Sequence, residues 1–259
     1  MTRVALFVAG LAGIFVAALA LGKAVDLEDR TLAEEAHAAA EDPHGGSAPA
    51  GLALEQDGYR LVPERASFAA GRSQPYVFRI LGPNGSVLRD YDVAHERRLH
   101  LIVVGREPDA PFLHLHPRQR ADGAWTVPLD LPAAGSYRVF ADFTTRGERR
   151  TLAIDLSAAP GALAAAWWDS IYVVKLRQLG DRLRFEVRDD RGPVETQSYL
   201  GAGGHLVVLR EGDLAYIHAH AEEDELEFDV PFPSEGRYRL YLQFKVGGAV
   251  ETVHLEVER

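Results

Sequence analysis

Apolar and polar residues alternate with a period of two in many short runs of the chain. Clear examples are residues 183–187, Leu-Arg-Phe-Glu-Val, and residues 226–230, Leu-Glu-Phe-Asp-Val. Alternation of this kind sends every second side chain into a core and is typical of a half-buried β-strand. Gly, Pro and Asp residues interrupt the runs about every 8–12 positions. The pattern therefore predicts an all-β chain made of β-sandwich units of about 100 residues each.

The same succession of runs and turns occurs twice. Residues 99–104 followed by 112–116 match residues 204–209 followed by 216–220, and residues 132–143 match residues 233–244. Self-similarity of this kind indicates a duplicated unit. We predict two tandem immunoglobulin-like β-sandwich domains, repeat 1 over residues 57–157 and repeat 2 over residues 165–259.

A Gly-x-Tyr sequence follows a proline-containing corner in each copy, at Tyr137 and at Tyr238. It resembles the tyrosine corner of immunoglobulin-like sandwiches, in which the phenol hydroxyl bonds to backbone a few residues upstream. The alternative is that both tyrosines are simply large strand residues.

The N-terminal segment has the features of an export or anchor sequence. Residues 4–21 are apolar and uncharged, Arg3 precedes them, and an acidic stretch begins at Asp26. The run is close to the roughly 20 residues that a membrane-spanning helix needs, and the charges place the bulk of the chain outside the cytoplasm. We predict a signal anchor over residues 1–25, a flexible linker over 26–56 and a single-pass cell-membrane protein. The alternative is a signal peptide cleaved near residues 18–20, which would give a secreted protein.

Composition narrows the chemistry. The chain has no Cys, a single Met at position 1, 10 His and a formal net charge of -10. These counts exclude disulfides, thiolate metal centres and cysteine nucleophiles, and they argue against nucleic acid as a partner. The sequence lacks the Gly-x-Ser-x-Gly, His-Glu-x-x-His, Walker and dinucleotide motifs, so we predict no enzymatic activity. Any metal must be held by imidazole, carboxylate or backbone.

Six histidines occupy matched positions in the two copies. His114 and His116 are two residues apart, so on a strand both side chains leave the same face. If the preceding strand folds back with Val104 opposite Phe112, His100 falls opposite His116. The same hairpin in the second copy places His205 opposite His220. We therefore predict one facial three-histidine site in each repeat, formed by His100, His114, His116 and by His205, His218, His220.

Imidazole triads accept Zn and Cu(II) among other ions, and the affinity order favours Cu(II). The predicted cofactor is a copper or zinc ion, with His95 as an auxiliary ligand beside the first triad. Asp142 is either a carboxylate ligand or an ordinary exposed residue, and His254 is expected to be structural. There are three alternatives to a metal site. The histidines are merely exposed residues, or they are packing residues that both copies inherited from one ancestor, or they form a pH-sensitive polar cluster.

Residues 95–104, 112–117, 125–128 and 135–143 resemble segments of secreted or membrane-anchored bacterial proteins of actinobacterial type. They are also similar to YtkA-like and CopC-like immunoglobulin-type sandwiches linked to copper handling outside the cytoplasm. The resemblance covers residues 76–156 and, more faintly, 183–257. It implies an extracytoplasmic sandwich associated with metal, although the mature N-terminal His ligand of CopC-like domains has no match here.

Pattern and resemblance together predict an extracytoplasmic, membrane-anchored protein that binds copper or zinc for storage, delivery or sensing. Its expected partners are the metal ion, the membrane through the N-terminal helix, and another envelope protein. The alternative is a metal-free immunoglobulin-like module that contacts another protein of the cell envelope.

Overall fold

A computed structural model describes residues 49–107, 111–161, 170–221 and 225–259, which belong to one compact unit, Ala48–Arg259. Within these ranges the regular secondary structure consists of strands alone. No helix among the described residues is long and apolar enough to cross a membrane. The predicted anchor and residues 26–48 of the predicted linker lie outside the described residues, as do His37 and His44.

Repeat 1 is a sandwich of two five-stranded sheets, ordered β1-β2-β4-β8-β7 and β3-β10-β9-β5-β6. Its core lies between the sheets and includes Phe78, Leu101 and Val139, all fully buried. The strands are β1 (Glu55–Gln56), β2 (Tyr59–Pro63), β3 (Ser67–Ala69), β4 (Gln74–Leu81), β5 (Leu99–Gly105), β6 (Phe112–Leu115), β7 (Arg118–Gln119), β8 (Trp125–Leu129), β9 (Gly135–Thr145) and β10 (Glu148–Ala159).

Repeat 2 has a three-stranded and a four-stranded sheet, ordered β11-β12-β15 and β14-β13-β16-β17. The alternating apolar residues Leu183, Phe185 and Val187 point into its core, as their spacing predicts. The prediction of an all-β fold with tandem immunoglobulin-like sandwiches is confirmed, whereas the exact domain boundaries stay a prediction. The strands are β11 (Val173–Leu179), β12 (Arg182–Arg188), β13 (His205–Arg210), β14 (Tyr216–His220), β15 (Glu227–Asp229), β16 (Arg237–Val246) and β17 (Ala249–Glu258).

Both tyrosine corners are present. The Tyr137 hydroxyl donates a hydrogen bond to the Ala133 carbonyl oxygen at 2.7 Å, and the Tyr238 hydroxyl donates to the Ser234 carbonyl oxygen at 2.7 Å. Both rings are buried. The two tyrosines therefore tie the start of β9 and of β16 to the preceding corner, which is a role beyond that of large strand residues.

The sheet that contains β5 packs its outer face against the sheet that contains β13. Phe112 stacks on Tyr241 with ring centroids 4.4 Å apart, and Phe140 stacks on Tyr216 at 4.6 Å. Phe112 of repeat 1 corresponds to Tyr216 of repeat 2, and Phe140 corresponds to Tyr241. The two stacked pairs are therefore equivalent when the repeats are interchanged. The apolar layer between the repeats consists of Ile102, Val104, Phe112, Phe140, Ala153, Val207, Leu209, Leu214, Tyr216 and Tyr241.

The last residues before β1 contact both repeats. The Ala53 carbonyl accepts a hydrogen bond from the Ala153 amide of repeat 1, and the Ala50 carbonyl accepts one from the Tyr216 amide of repeat 2. Gly51 between them has φ of +75°, and a Cβ atom there would lie 2.7 Å from the Phe140 ring. Glycine is required because the backbone turns in the left-handed region directly against the apolar layer.

Candidate metal site between the repeats

Two hairpins position the histidines as their spacing predicts. In β5–β6, Val104 pairs with Phe112 and Leu101 with Leu115, a register that continues to His100 opposite His116. In β13–β14, His205 pairs directly with His220. Since Leu113 and Leu115 pack on the core of repeat 1, the intervening His114 leaves the strand on the opposite face.

The histidines of the two repeats form one cluster. The ring centroids of His100 and His114 are 5.2 Å apart, those of His114 and His218 are 5.3 Å apart, and those of His205 and His220 are 4.6 Å apart. Separate triads were expected, but both histidine faces belong to the sheets that pack against each other. The cluster consists of His95, His100, His114, His116, His205, His218 and His220.

Two sets of three histidines have candidate ligand atoms within 4.8 Å of one another. The first set is the expected His100, His114 and His116. The second set, His114, His205 and His218, takes one member from repeat 1 and two from repeat 2. His220 was expected to complete this second triad, but it lies outside both sets. Its ring stacks on His95 with centroids 3.5 Å apart.

Backbone carbonyls orient His100 and His205. Nε2 of His100 lies 3.3 Å from the Ala94 carbonyl oxygen, and Nε2 of His205 lies 2.9 Å from the Tyr199 carbonyl oxygen. Both carbonyls lie six residues before the histidine that they contact. Because a carbonyl can only accept, Nε2 carries the proton in each ring, and Nδ1 of each neutral ring presents its lone pair.

His114 and His218 are oriented from the opposite repeat. Nδ1 of His114 lies 2.7 Å from Oε1 of Gln243, and Nδ1 of His218 lies 3.0 Å from Oδ2 of Asp142. The Gln243 amide nitrogen donates to Thr252 Oγ1 at 3.0 Å, which directs Oε1 toward His114. Nδ1 is therefore the donor in both rings, and Nε2 presents the lone pair.

These orientations bring two lone pairs face to face. Nδ1 of His100 and Nε2 of His114 are 2.9 Å apart, and in neutral rings neither atom carries a proton to donate. With these tautomers the contact is stabilised only by a cation, either a proton or a metal ion; the alternative is that His100 carries its proton on Nδ1, donates to His114 Nε2 and gives up the 3.3 Å contact with the Ala94 carbonyl oxygen. Four more nitrogens of the cluster are buried and have no hydrogen-bond partner within the described residues: His116 Nε2, His205 Nδ1, His218 Nε2 and His220 Nε2.

The environment disfavours a proton as that cation. Burial lowers the pKa of His100 to about 3, with a further contribution from His218. Burial also lowers the pKa of His205 to about 3 and that of His116 to about 4. The pKa of His114 is held well below its usual value, first by burial and then by the neighbouring imidazoles. The cluster is therefore a set of neutral imidazoles near pH 7, which is the form that binds metals.

Asp142 is neither a ligand of these sets nor an exposed residue. Its side chain is only 5% exposed, and it accepts hydrogen bonds from Arg149 at both oxygens and from His218 at Oδ2. Burial alone would raise the pKa of Asp142, but Arg149 and His218 outweigh burial and lower it below the usual range. The carboxylate stays charged and orients His218. Carboxylate–histidine pairs of this kind position the ring and raise its basicity as a metal ligand.

The orienting roles of Gln243 and Arg149 are not predicted from the sequence. One feature of the sequence pointed to Gln243: it occupies the position in repeat 2 that Asp142 occupies in repeat 1. In the structure these two residues pair with His205 and His100 on the neighbouring strands.

The remaining histidines have different surroundings. His95 and His220 line a cavity of about 60 Å³ next to His100 and also an adjoining groove of about 600 Å³, so they stand at one approach to the cluster. His254 on β17 stacks on Tyr241 at 5.0 Å, in agreement with a structural role. Residues 222–224, in the acidic loop after β14, lie outside the described residues.

Fold and site together define a tandem immunoglobulin-like β-sandwich protein with a histidine cluster where its repeats meet. A family model described as a domain of unknown function, DUF8832, matches residues 54–160 and 177–259. The chain belongs to this family. The copper-handling likeness to YtkA-like and CopC-like domains stays a prediction.

Several solved structures of bacterial proteins are similar to the chain. The Escherichia coli adhesin FdeC is 15% identical over 78% of this chain and 65% of its own, with a TM-score of 0.31. Yersinia pseudotuberculosis InvD is 14% identical over 78% and 58%, with a TM-score of 0.29. The adhesin InvE of the same organism is 12% identical over 82% and 61%, with a TM-score of 0.28. The chain spans less than two thirds of each of these three structures. No curated protein matches the chain.

Proposed function

We propose that the chain binds a transition-metal ion at the histidine cluster between its repeats. The observation that carries the proposal is the 2.9 Å contact between Nδ1 of His100 and Nε2 of His114. Both lone pairs are directed there by oxygen acceptors on the opposite ring nitrogens. Neutral imidazoles make this contact favourable only if His100 carries its proton on Nδ1 and gives up the 3.3 Å contact with the Ala94 carbonyl oxygen, whereas a shared metal ion turns the contact into two coordinate bonds and keeps that hydrogen bond.

The donor type and the distances support copper or zinc. Imidazole nitrogens bind these ions at about 2.0–2.1 Å. If the two metal–nitrogen bonds form an angle of about 90° at the metal, the two nitrogens are about 2.9 Å apart. Tetragonal and distorted tetrahedral coordination both allow such an angle. The N–H groups directed at Ala94, Gln243, Tyr199 and Asp142 supply the outer contacts that metal-binding histidines usually make.

The proposed setting is the outer side of the cell membrane, where the protein would store, deliver or sense the metal. This part of the proposal rests on the uncharged apolar run at residues 4–21, preceded by Arg3 and followed by acidic residues. The positive flank stays inside, so the repeats would lie outside.

The test is titration of the purified full chain, kept in detergent, with Cu(II) and Zn(II) in competition with a chelator of known affinity. The wild type should bind either ion, and His114→Asn should weaken binding at least about 100-fold, because a ligand is lost and not merely an outer contact. His254→Gln is the matched control, since His254 stacks on Tyr241 away from both ligand sets, and it should bind like the wild type. Failure of the wild type to bind either ion would refute the proposal and leave the metal-free interaction module as the remaining function.

A further inference from the structure

The two candidate ligand sets share one histidine, His114. On the basis of the proposed function, we infer that the sets are two mutually exclusive positions of a single ion. His114 is the common ligand, and the ion passes between a His100–His116 position and a His205–His218 position without leaving the protein.

The argument begins with the number of lone pairs on His114. Its Nδ1–H donates to Gln243 Oε1 at 2.7 Å, and the amide is held in that orientation by its bond to Thr252. Only Nε2 remains, and a neutral imidazole nitrogen has one lone pair in the ring plane. His114 therefore binds one ion at a time. A second ion would have to displace Gln243 and remove the second ring proton.

Charge leads to the same conclusion. Both sets consist of neutral imidazoles, and the adjacent carboxylate, Asp142, is already paired with Arg149. Two divalent ions sharing one ligand in this buried cluster would repel each other with no carboxylate in either set to offset them.

The two positions each have an open approach and differ in their ligands. His116 lines an open groove of about 730 Å³, and His218 lines the groove of about 600 Å³ that His95 and His220 also line. His205 and His218 are buried, and Asp142 stands behind His218. A carboxylate partner makes His218 the stronger donor. The ion therefore reaches either position from solvent and is bound more tightly at the His205–His218 position, with His114 as a ligand in both.

The experiment combines metal analysis with electron paramagnetic resonance of the full chain loaded with Cu(II). The wild type should hold one ion per chain. His116→Asn should keep one ion with little loss of affinity, whereas His205→Asn should keep one ion bound about 10–100-fold more weakly. The two variants should give different single signals, and His114→Asn should remove both.

The outcomes separate this inference from the proposed function. Two tightly bound ions in the wild type would overturn the shared-ligand inference while leaving metal binding intact, and this measurement needs no variant. Retention of either signal in His114→Asn would overturn the inference in the same way. No bound ion in the wild type would instead refute the proposed function itself.

Discussion

Acidification should destabilise the metal-free protein well above the pH at which its carboxylates titrate. His100 and His205 are 4% and 1% exposed, and burial lowers the pKa of each to about 3. In the unfolded chain a histidine has a pKa of about 6.5. Below that pH the unfolded state binds more protons than the folded state, so the free energy of unfolding falls as the pH falls.

The magnitude follows from the two pKa values of each ring. Between about pH 7.5 and about pH 5.5, a histidine that stays neutral in the folded state costs about 1.4 kcal/mol of stability. His100 and His205 together should cost about 3 kcal/mol. Asp142 does not interfere, because its lowered pKa contributes stability that is present above the unfolded value of about 4 and is lost only below it.

The assay is urea unfolding followed by far-ultraviolet circular dichroism, in EDTA, at several pH values across this range. The double variant His100→Asn, His205→Asn removes two of the buried histidines, so its stability should fall about 3 kcal/mol less than that of the wild type over the same interval. The other buried histidines, His114 and His116 among them, contribute to the pH dependence of both proteins. A wild-type stability that does not change with pH would refute the reasoning, as would a double variant with the wild-type dependence.

Three further substitutions test separate contacts. Asp142→Asn removes the charge that orients His218. It should lower the free energy of unfolding in urea by about 2–3 kcal/mol and weaken metal binding about 10–100-fold. Unchanged metal affinity in the competition titration would exclude an orienting role. Tyr238→Phe deletes a corner hydrogen bond and should cost about 1 kcal/mol; an unfolding curve like that of the wild type would mean that the corner bond adds nothing. Phe112→Ala removes the ring stacked on Tyr241 and should cost about 3–5 kcal/mol, measured by the same unfolding; a loss below about 1 kcal/mol would argue against a packed layer between the repeats.

The strands and the hairpin registers were predictable because they depend on local pattern. Alternation at Leu183, Phe185 and Val187 directs these side chains into a core whatever the rest of the chain does. The register that places His205 opposite His220 likewise follows from a short connection between two neighbouring strands.

The joining of the two histidine sets was not predictable in this way. It depends on contacts between sheets about 100 residues apart in the chain, which no local periodicity encodes. One signal was present: residues 101–104 and 206–209 are continuous apolar runs rather than alternating ones. Runs of this kind are typical of strands covered on both faces, and in the structure β5 and β13 are covered by their own cores on one face and by the opposite repeat on the other.

The sequence by itself determined the donor chemistry. With no Cys and no Met after position 1, imidazole, carboxylate and backbone are the donors that remain, and the repeat predicts which histidines share a face. Tertiary structure decided how they are grouped. Packing the two outer faces together gave His114 a Gln243 partner from repeat 2 and His218 an Asp142 partner from repeat 1. Two expected triads became one cluster with a shared histidine, because His114 and His218 are oriented by acceptors that only the folded interface supplies.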